Sequence, residues 1–217
     1  MQRLIISRRQ MLLGGGVSAL ISAIDAFCME PRWLQIVDHD IPIPHLPQAV
    51  EGYRIAQITD AHLRHIGLVE ERIFQEIENR NVELVVLTGD IIDSLSNLDI
   101  FEEFCDRLRS KKRTILATLG NWEHWARIPI TVLRDRYRAH NIRLLINENV
   151  LINSAIFVSA TDDLSSGNAE LDKALDGCGA AKVSLFLTHS PELLDYLPPG
   201  RDFIQCPKSI GKPRNLR

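Results

Sequence analysis

The sequence predicts a layered α/β domain, because short apolar runs typical of strands alternate along the chain with stretches typical of helices. These runs lack the polar alternation of a strand with one face in water, which indicates that both faces of the sheet are covered. With 217 residues, 45% hydrophobic and 24% charged, the chain is long enough to bury a substantial core. This composition excludes disordered, collagen-like and disulfide-framework proteins.

The predicted elements follow in chain order. Residues 33–43 are predicted to form a strand, followed by an extended connector that contains prolines. The further predicted strands are 54–59, 82–88, 114–119, 143–146, 150–160 and 183–188. The predicted helices are 69–79, 98–109, 130–140, 168–175 and 191–197. We find no internal repeat, low-complexity tract or linker, so the pattern indicates one domain over residues 31–204.

Residues 1–30 are predicted to be a separate segment. Arg8 and Arg9 precede an apolar run over residues 12–24, which resembles a twin-arginine export signal. The run is shorter than the roughly 20 apolar residues that a spanning helix needs. We therefore expect a chain that is exported across the bacterial cytoplasmic membrane, or anchored to it if the signal is not cleaved. The alternative is an N-terminal helix whose arginines face solvent.

Charge is distributed unevenly along the chain. The net charge is −3, but residues 201–217 carry five Lys or Arg and one acid, so this tail is basic and the preceding body is acidic. No basic face or stripe is evident, and nucleic acid is not predicted as a partner. The four cysteines are widely spaced without a CxxC pair, which favours buried thiols over a zinc site. Nothing in the sequence indicates an oligomeric state.

Polar side chains stand directly after four of the predicted strands. In chain order they are Asp60 and His62, Asp90 and Asp93, Asn121 and His124, and His189. Because ligands of open α/β sheets bind beyond the carboxyl ends of the strands, we expect these side chains to lie close together. Carboxylate, amide and imidazole donors without thiolates suit Mn, Fe or Zn. A carboxylate shared between two such ions would suit phosphoryl chemistry.

These motifs resemble those of the calcineurin-like metallophosphoesterase family. The matching segments are ITDAHL, LTGDIID, LGNWEH and LTHSPE, and the similarity runs from about residue 31 to 200. It looks closest to the exported or membrane-associated bacterial branch, with phosphodiesterases similar to UDP-2,3-diacylglucosamine hydrolases. The resemblance implies a sheet sandwich flanked by helices. It also implies hydrolysis of a phosphodiester or pyrophosphate by metal-bound hydroxide, on a small-molecule or lipid-linked phosphate.

The same resemblance implies a role for each matching residue. Asp60 and His62 would hold one of two divalent ions, and Asn121 and His189 would hold the other. Asp90 would bridge the two ions.

Three further acids lie next to these motifs. Asp93 would orient the site from outside the ligand shell, or would be a residue of the turn before a helix. Asp162 and Asp163 are expected to be loop or capping residues rather than ligands.

Trp122 is the first departure from the family pattern, which has a histidine directly after the asparagine of the third motif. His124 stands two residues further on and is our candidate general acid, since histidine titrates near working pH. The alternative is a surface-loop histidine.

The second departure is at the carboxyl end. The family has a Gly-His-x-His motif after the next strand, but no histidine follows His189, and residues 205–217 form a basic tail that contains prolines. The hypothesis from this pattern is a domain that is truncated or frame-shifted at its carboxyl end. It leaves open an alternative function, a catalytically impaired remnant or a non-enzymatic binding protein that keeps the fold.

Overall fold

The computed structural model describes residues 34–110, 113–178, 183–199 and 203–206. The predicted signal over residues 1–30 and the tail beyond residue 206 lie outside the described residues. The strands are β1 (Ile55–Ile58), β2 (Leu84–Thr88), β3 (Thr114–Thr118), β4 (Arg143–Leu144), β5 (Glu148–Ile152), β6 (Ile156–Ala160), β7 (Val183–Leu187) and β8 (Phe203–Cys206). The α-helices are α1 (Leu68–Asn79), α2 (Leu98–Leu108), α3 (Asn121–Trp125), α4 (Ile130–Ala139) and α5 (Leu171–Ala174). Short 3₁₀ helices cover Gln48–Val50, Leu95–Asn97 and Pro191–Tyr196.

The described strands form two four-stranded sheets. The first has the order β1-β2-β3-β4 and is parallel throughout. The second has the order β5-β6-β7-β8, in which β5 runs antiparallel to β6 and the other pairs are parallel. The predicted α/β fold with a sheet sandwich is therefore confirmed.

Successive side chains of a strand point to opposite faces of the sheet, and the strands are apolar on both faces because both faces are buried. In β2, Leu84 and Val86 point into a core shared with Leu185 of the second sheet. Val85 and Leu87 point to the opposite face, where helices α1, α2 and α4 cover the first sheet. A smaller cluster covers the outer face of the second sheet, with Phe157, Phe186, Phe203 and Leu193 among its members. The layers are thus helix, sheet, sheet and helix.

The segment before β1 differs from its prediction. Residues 34–43 form no strand, and Ile36, Val37 and Ile41 are exposed. Pro42 and Pro44 have no backbone N–H to donate to a ladder, and the exposed side chains gain nothing from pairing. The prediction of a strand here is therefore wrong over the described residues 34–43.

The predicted strand over residues 150–160 is a hairpin of β5 and β6. The chain reverses at Asn153 and Ser154, whose φ angles are 48° and 54°. Asn and Ser tolerate this left-handed turn better than the β-branched residues around them do. The prediction missed the turn because apolar residues stand close on both sides of it.

Two boundaries also differ from the prediction. Residues 121–125, for which no helix was predicted, form the short helix α3. Strand β8 runs to Cys206, two residues beyond the expected domain boundary at Ile204, because Cys206 is buried in the core between the sheets. Cys105, Cys178 and Cys206 are all buried free thiols, as the spacing indicated. Among the described helices, none has the length and apolar character needed to cross a membrane.

The core between the sheets gives a testable prediction for stability. Leu185 on β7 is fully buried, so Leu185→Ala should lower the free energy of unfolding by about 2–5 kcal/mol. Leu151 on β5 of the same sheet is 55% exposed, and Leu151→Ala should cost less than about 1 kcal/mol. Urea denaturation followed by circular dichroism measures both. Equal losses in the two variants would contradict the layer assignment.

Candidate metal centre

The candidate site lies where the carboxyl ends of both sheets meet. The His189 ring, which follows β7, has Nδ1 2.8 Å from the carbonyl oxygen of Thr88, the last residue of β2. Nearby, the Thr118 hydroxyl at the end of β3 donates to the carbonyl oxygen of Thr161, which follows β6, at 2.5 Å. These contacts tie the two sheets together at one edge.

Asp90 is at the centre of the site and is fully buried. Its Oδ1 accepts a hydrogen bond from the Trp122 N–H at 2.9 Å. Its Oδ2 lies 3.1 Å from His189 Nε2 and 3.8 Å from His62 Nε2. One carboxylate oxygen is thus held by the backbone, while the other faces two imidazoles.

The predicted ligands lie on either side of Asp90. Asp60, His62 and Asp90 each offer one ligand atom, and these atoms all lie within 4.8 Å of one another. On the other side, His189 Nε2 is 3.1 Å from Asn121 Oδ1. The structure therefore brings all five predicted ligands together, and their oxygen and nitrogen donors fit a divalent ion such as Mn, Fe or Zn.

The backbone bends sharply to aim these side chains. Asp60, His62 and Asp90 have φ angles of 55°, 42° and 55°, in the left-handed region that non-glycine residues seldom occupy. Hydrogen bonds hold the bends in place, from the Asp60 N–H to the Gly89 carbonyl and from the His62 N–H to the Asp90 carbonyl. Gly89 has φ 86°, and a Cβ there would lie 2.5 Å from the Gly120 nitrogen. Only glycine permits this close approach of the two loops.

Glu123 organises the site, and the sequence analysis assigned it no role. Its carboxylate is buried and accepts hydrogen bonds from the N–H groups of Asp90 (3.0 Å), Ile91 (2.8 Å), Ile92 (3.3 Å) and Gly120 (2.9 Å). Burial raises the pKa of the Glu123 carboxyl, and these N–H groups partly offset that rise. A signal was present in the sequence, because an acid three residues after Gly120 matches the pattern of a helix N-terminus.

His124 lies on helix α3, three residues after Asn121, and its side chain is only 16% exposed. Its Nε2 is 2.7 Å from a carboxylate oxygen of Asp162. Asp162 in turn accepts hydrogen bonds from the N–H groups of Asp163 and Asn168. His124 is therefore a fixed side chain on a helix, and the surface-loop alternative is wrong. Asp162 holds its loop, as expected, and also holds the imidazole.

Asp163 holds the loop that follows β6. Its carboxylate accepts hydrogen bonds from the hydroxyls of Ser165, Ser166 and Ser190. Burial alone would raise the pKa of Asp163, but these hydrogen bonds outweigh it and lower the pKa to about 2. Its contacts are those of a loop residue.

Asp93 and Trp122 both flank His62. The Asp93 carboxylate lies 3.9 Å from His62 Nδ1 and 3.1 Å from the Arg64 guanidinium. The Trp122 ring meets the His62 ring edge to face, with centroids 5.6 Å apart. The aromatic ring of Trp122 therefore lies beside the candidate ligand His62.

Comparisons with known proteins identify the family of this chain. A family model described as calcineurin-like phosphoesterase matches residues 53–196. The chain is 26% identical to the uncharacterized metallophosphoesterase YkuE of Bacillus subtilis over 202 residues, which cover 86% of this chain and 70% of that protein. It is 25% and 26% identical to transmembrane proteins with a metallophosphoesterase domain from Danio rerio and Bos taurus. Those alignments cover 72% and 70% of this chain but only 39% and 38% of the two relatives.

The region matched by the family model contains all five predicted ligands, from Asp60 to His189, together with both sheets' contributions to the site. The family resemblance drawn from the strand-end motifs is thereby confirmed. The chain belongs to the calcineurin-like phosphoesterase family and is a hydrolase of phosphoric esters.

Proposed function

We propose that this chain hydrolyses a phosphodiester or a pyrophosphate with two divalent ions, Mn, Fe or Zn, bound at the carboxyl edge of the sheets. The observation that carries the proposal is the clustering of four further donor side chains around the buried Asp90 carboxylate, those of Asp60, His62, Asn121 and His189. A metal-dependent family and a metal-binding group of side chains support it.

The donors divide naturally into two sets around Asp90. Asp60 and His62 would hold one ion, Asn121 and His189 the other, and Asp90 would bridge them. When bound, such ions lower the pKa of a water molecule and neutralise the charge that develops on the phosphoryl oxygens.

His189 is prepared for this role by its hydrogen bond to β2. A carbonyl oxygen only accepts, so the Thr88 carbonyl requires the proton on His189 Nδ1. In the neutral ring, Nε2 then carries the free electron pair that a metal ion needs, and it is the atom that faces Asp90 and Asn121. The contact between the sheets thus selects the ring tautomer.

We also propose that His124 protonates the leaving oxygen. Asp162 accepts from His124 Nε2, which fixes the ring and leaves Nδ1 as the atom able to hold a proton for the leaving group. His124 lies on the helix that begins at Asn121, so the proton donor and a predicted ligand move as one unit.

Two expectations about the cellular setting continue as proposals. The Arg8-Arg9 pair and the apolar run after it support export across, or anchoring to, the bacterial cytoplasmic membrane. A substrate next to a membrane would be a lipid-linked phosphate.

Removing the bridging carboxylate tests the metal centre. Asp90→Asn should lower the Mn-dependent rate on bis(4-nitrophenyl) phosphate by more than roughly 100-fold, since losing even outer partners of a metal site costs about 10–100-fold. Asp40→Asn is the matched control, because Asp40 is exposed in the segment before β1. Release of nitrophenolate measures both rates. A fully active Asp90→Asn variant would contradict the bridging role.

Leaving-group dependence tests His124. His124→Asn should slow hydrolysis of a methyl phosphodiester by about 100-fold or more, because general acid catalysis contributes about 10²–10⁴-fold for poor leaving groups. The same variant should change the 4-nitrophenyl diester rate far less, since nitrophenolate leaves without a proton. His39→Asn, at an exposed histidine, should change neither rate. An equal loss on both substrates would assign His124 a purely structural role.

A further inference from the structure

The loop between β6 and α5, residues 161–170, is built around the Asp162 carboxylate, and we call it the anchor loop. Oδ1 of Asp162 accepts from the Asp163 N–H at 2.9 Å and lies 2.7 Å from His124 Nε2. Oδ2 accepts from the Asn168 N–H at 3.1 Å. Asp162 is buried, so these partners satisfy both oxygens of a carboxylate that water reaches poorly.

Gly167 lies directly against this carboxylate and leaves no room for a side chain. A Cβ at this position would be 2.5 Å from Cγ and Oδ2 of Asp162 and 2.6 Å from Oδ1. Real Cβ atoms do not approach other heavy atoms this closely, so the carboxylate would have to move. Gly167 does not have the positive φ that favours glycine. The position of the Asp162 carboxylate is therefore what requires a glycine here.

Asn147 holds the anchor loop from the connection between β4 and β5. Its Oδ1 accepts from the N–H groups of Asp162 at 3.0 Å and Glu170 at 2.9 Å. Its Nδ2 donates to the carbonyl oxygen of Asn168 at 2.6 Å. Asn147 is buried, and these three partners are backbone groups of the loop. This side chain therefore fixes the path of the loop at both ends.

The anchor loop is also tied to the turn that carries a predicted metal ligand. The Ser190 hydroxyl donates to Asp163 Oδ1 at 2.7 Å, and its oxygen accepts from the Leu164 N–H at 2.8 Å. Ser190 directly follows His189 in the chain. The anchor loop thus contacts the proposed proton donor through Asp162 and the metal side of the site through Asp163.

The hydrogen bonds indicate that the loop holds His124 rather than the reverse. Within the described part of the chain, the His124 ring has one hydrogen-bond partner, Asp162. The loop keeps its contacts with Asn147 and Ser190 whether or not the histidine is present. The other ring nitrogen of His124, Nδ1, has no partner among the described residues and is not a buried atom, so it is accessible to a ligand.

We propose that Gly167 and Asn147 are positioning residues for the proton donor. They hold the Asp162 carboxylate in the place where it fixes the His124 ring. This inference rests on the proposed role of His124. As the phosphorus–oxygen bond breaks, the proton on His124 Nδ1 passes to the departing oxygen. The ring keeps its Nε2 proton, so Asp162 accepts the same hydrogen bond before and after the transfer.

Leaving-group dependence tests Gly167 without altering His124. Gly167→Ala should displace the Asp162 carboxylate and slow hydrolysis of a methyl phosphodiester roughly 10–100-fold, because misplacing a catalytic group by about 1 Å costs up to about 10²-fold. The rate on bis(4-nitrophenyl) phosphate should stay within about threefold, since nitrophenolate leaves without a proton. An equal loss on both substrates would overturn the proposal.

Gly67→Ala is the matched control for this glycine. A Cβ at Gly67 would also be crowded, 2.9 Å from the His65 ring, but His65 is an exposed side chain that can rotate away. Gly67 does not have a positive φ either. Gly67→Ala should change neither rate. If it reproduced the selective loss on the methyl diester, the assignment to Gly167 would be wrong.

Double variants test whether the two positioning residues act through His124. In the His124→Asn background, Gly167→Ala should lower the methyl diester rate no more than about twofold, because the step that it supports is already lost. Asn147→Ala should behave in the same way. Asn141→Ala is its control, since Asn141 also has a positive φ, 58° against 53°, but is exposed at the opposite edge. Losses as large as in the unaltered chain would overturn the proposal.

Nuclear magnetic resonance of the full chain separates this inference from the proposed function. Two-bond ¹⁵N–¹H spectra in alkaline buffer show which ring nitrogen carries the proton, and the His124→Asn variant assigns the signal. The His124 ring should be the Nε2–H tautomer in the unaltered chain and in Gly67→Ala, and a mixture of tautomers in Gly167→Ala. An Nδ1–H ring in the unaltered chain, or an unchanged ring in Gly167→Ala, would overturn the proposal. If the tautomers are as expected but the unaltered chain hydrolyses neither diester, the proposed function is wrong and the positioning of the ring by Gly167 stands.

Discussion

The geometry of the site depends on the hydrogen bonds that the buried Glu123 carboxylate accepts. A buried carboxylate is costly unless its oxygens are satisfied, and here four backbone N–H groups, from Gly120 and residues 90–92, satisfy them. Those groups belong to the loops after β2 and β3, so one side chain fixes both loops relative to each other. Asp90 lies on the first of these loops and Asn121 begins helix α3 directly after the second, so their separation follows from this contact.

The second sheet completes the arrangement from the other side. The core between the sheets sets the distance between them. The hydrogen bond from His189 to Thr88 then fixes the position of the His189 ring relative to the first sheet. The same hydrogen bond selects the tautomer of His189, so the packing of two sheets determines which nitrogen faces Asp90. The geometry of a site built from side chains of both sheets is therefore only as precise as the packing between the sheets.

The sequence predicted those features of the fold and the site whose residues are neighbours along the chain. Unbroken apolar runs predicted the buried strands, and the polar residues directly after them predicted where the site lies. The choice of five ligands among those residues came from the family resemblance. The pairing of His124 with Asp162 joins residues 38 positions apart and leaves no local pattern. The strand predicted over residues 33–43 is wrong for a related reason, since in the part of the chain that the structure describes residues 34–43 pair with no strand.

Crystallography of the full chain grown with Mn is the most direct test of the central claim. Anomalous scattering should show two ions about 3.5–4 Å apart, one contacting Asp60, His62 and Asp90 and the other contacting Asp90, Asn121 and His189. This result would establish the five donors as one dinuclear centre. Ions bound elsewhere, or no ion at Asp90 in the presence of excess Mn, would contradict the account.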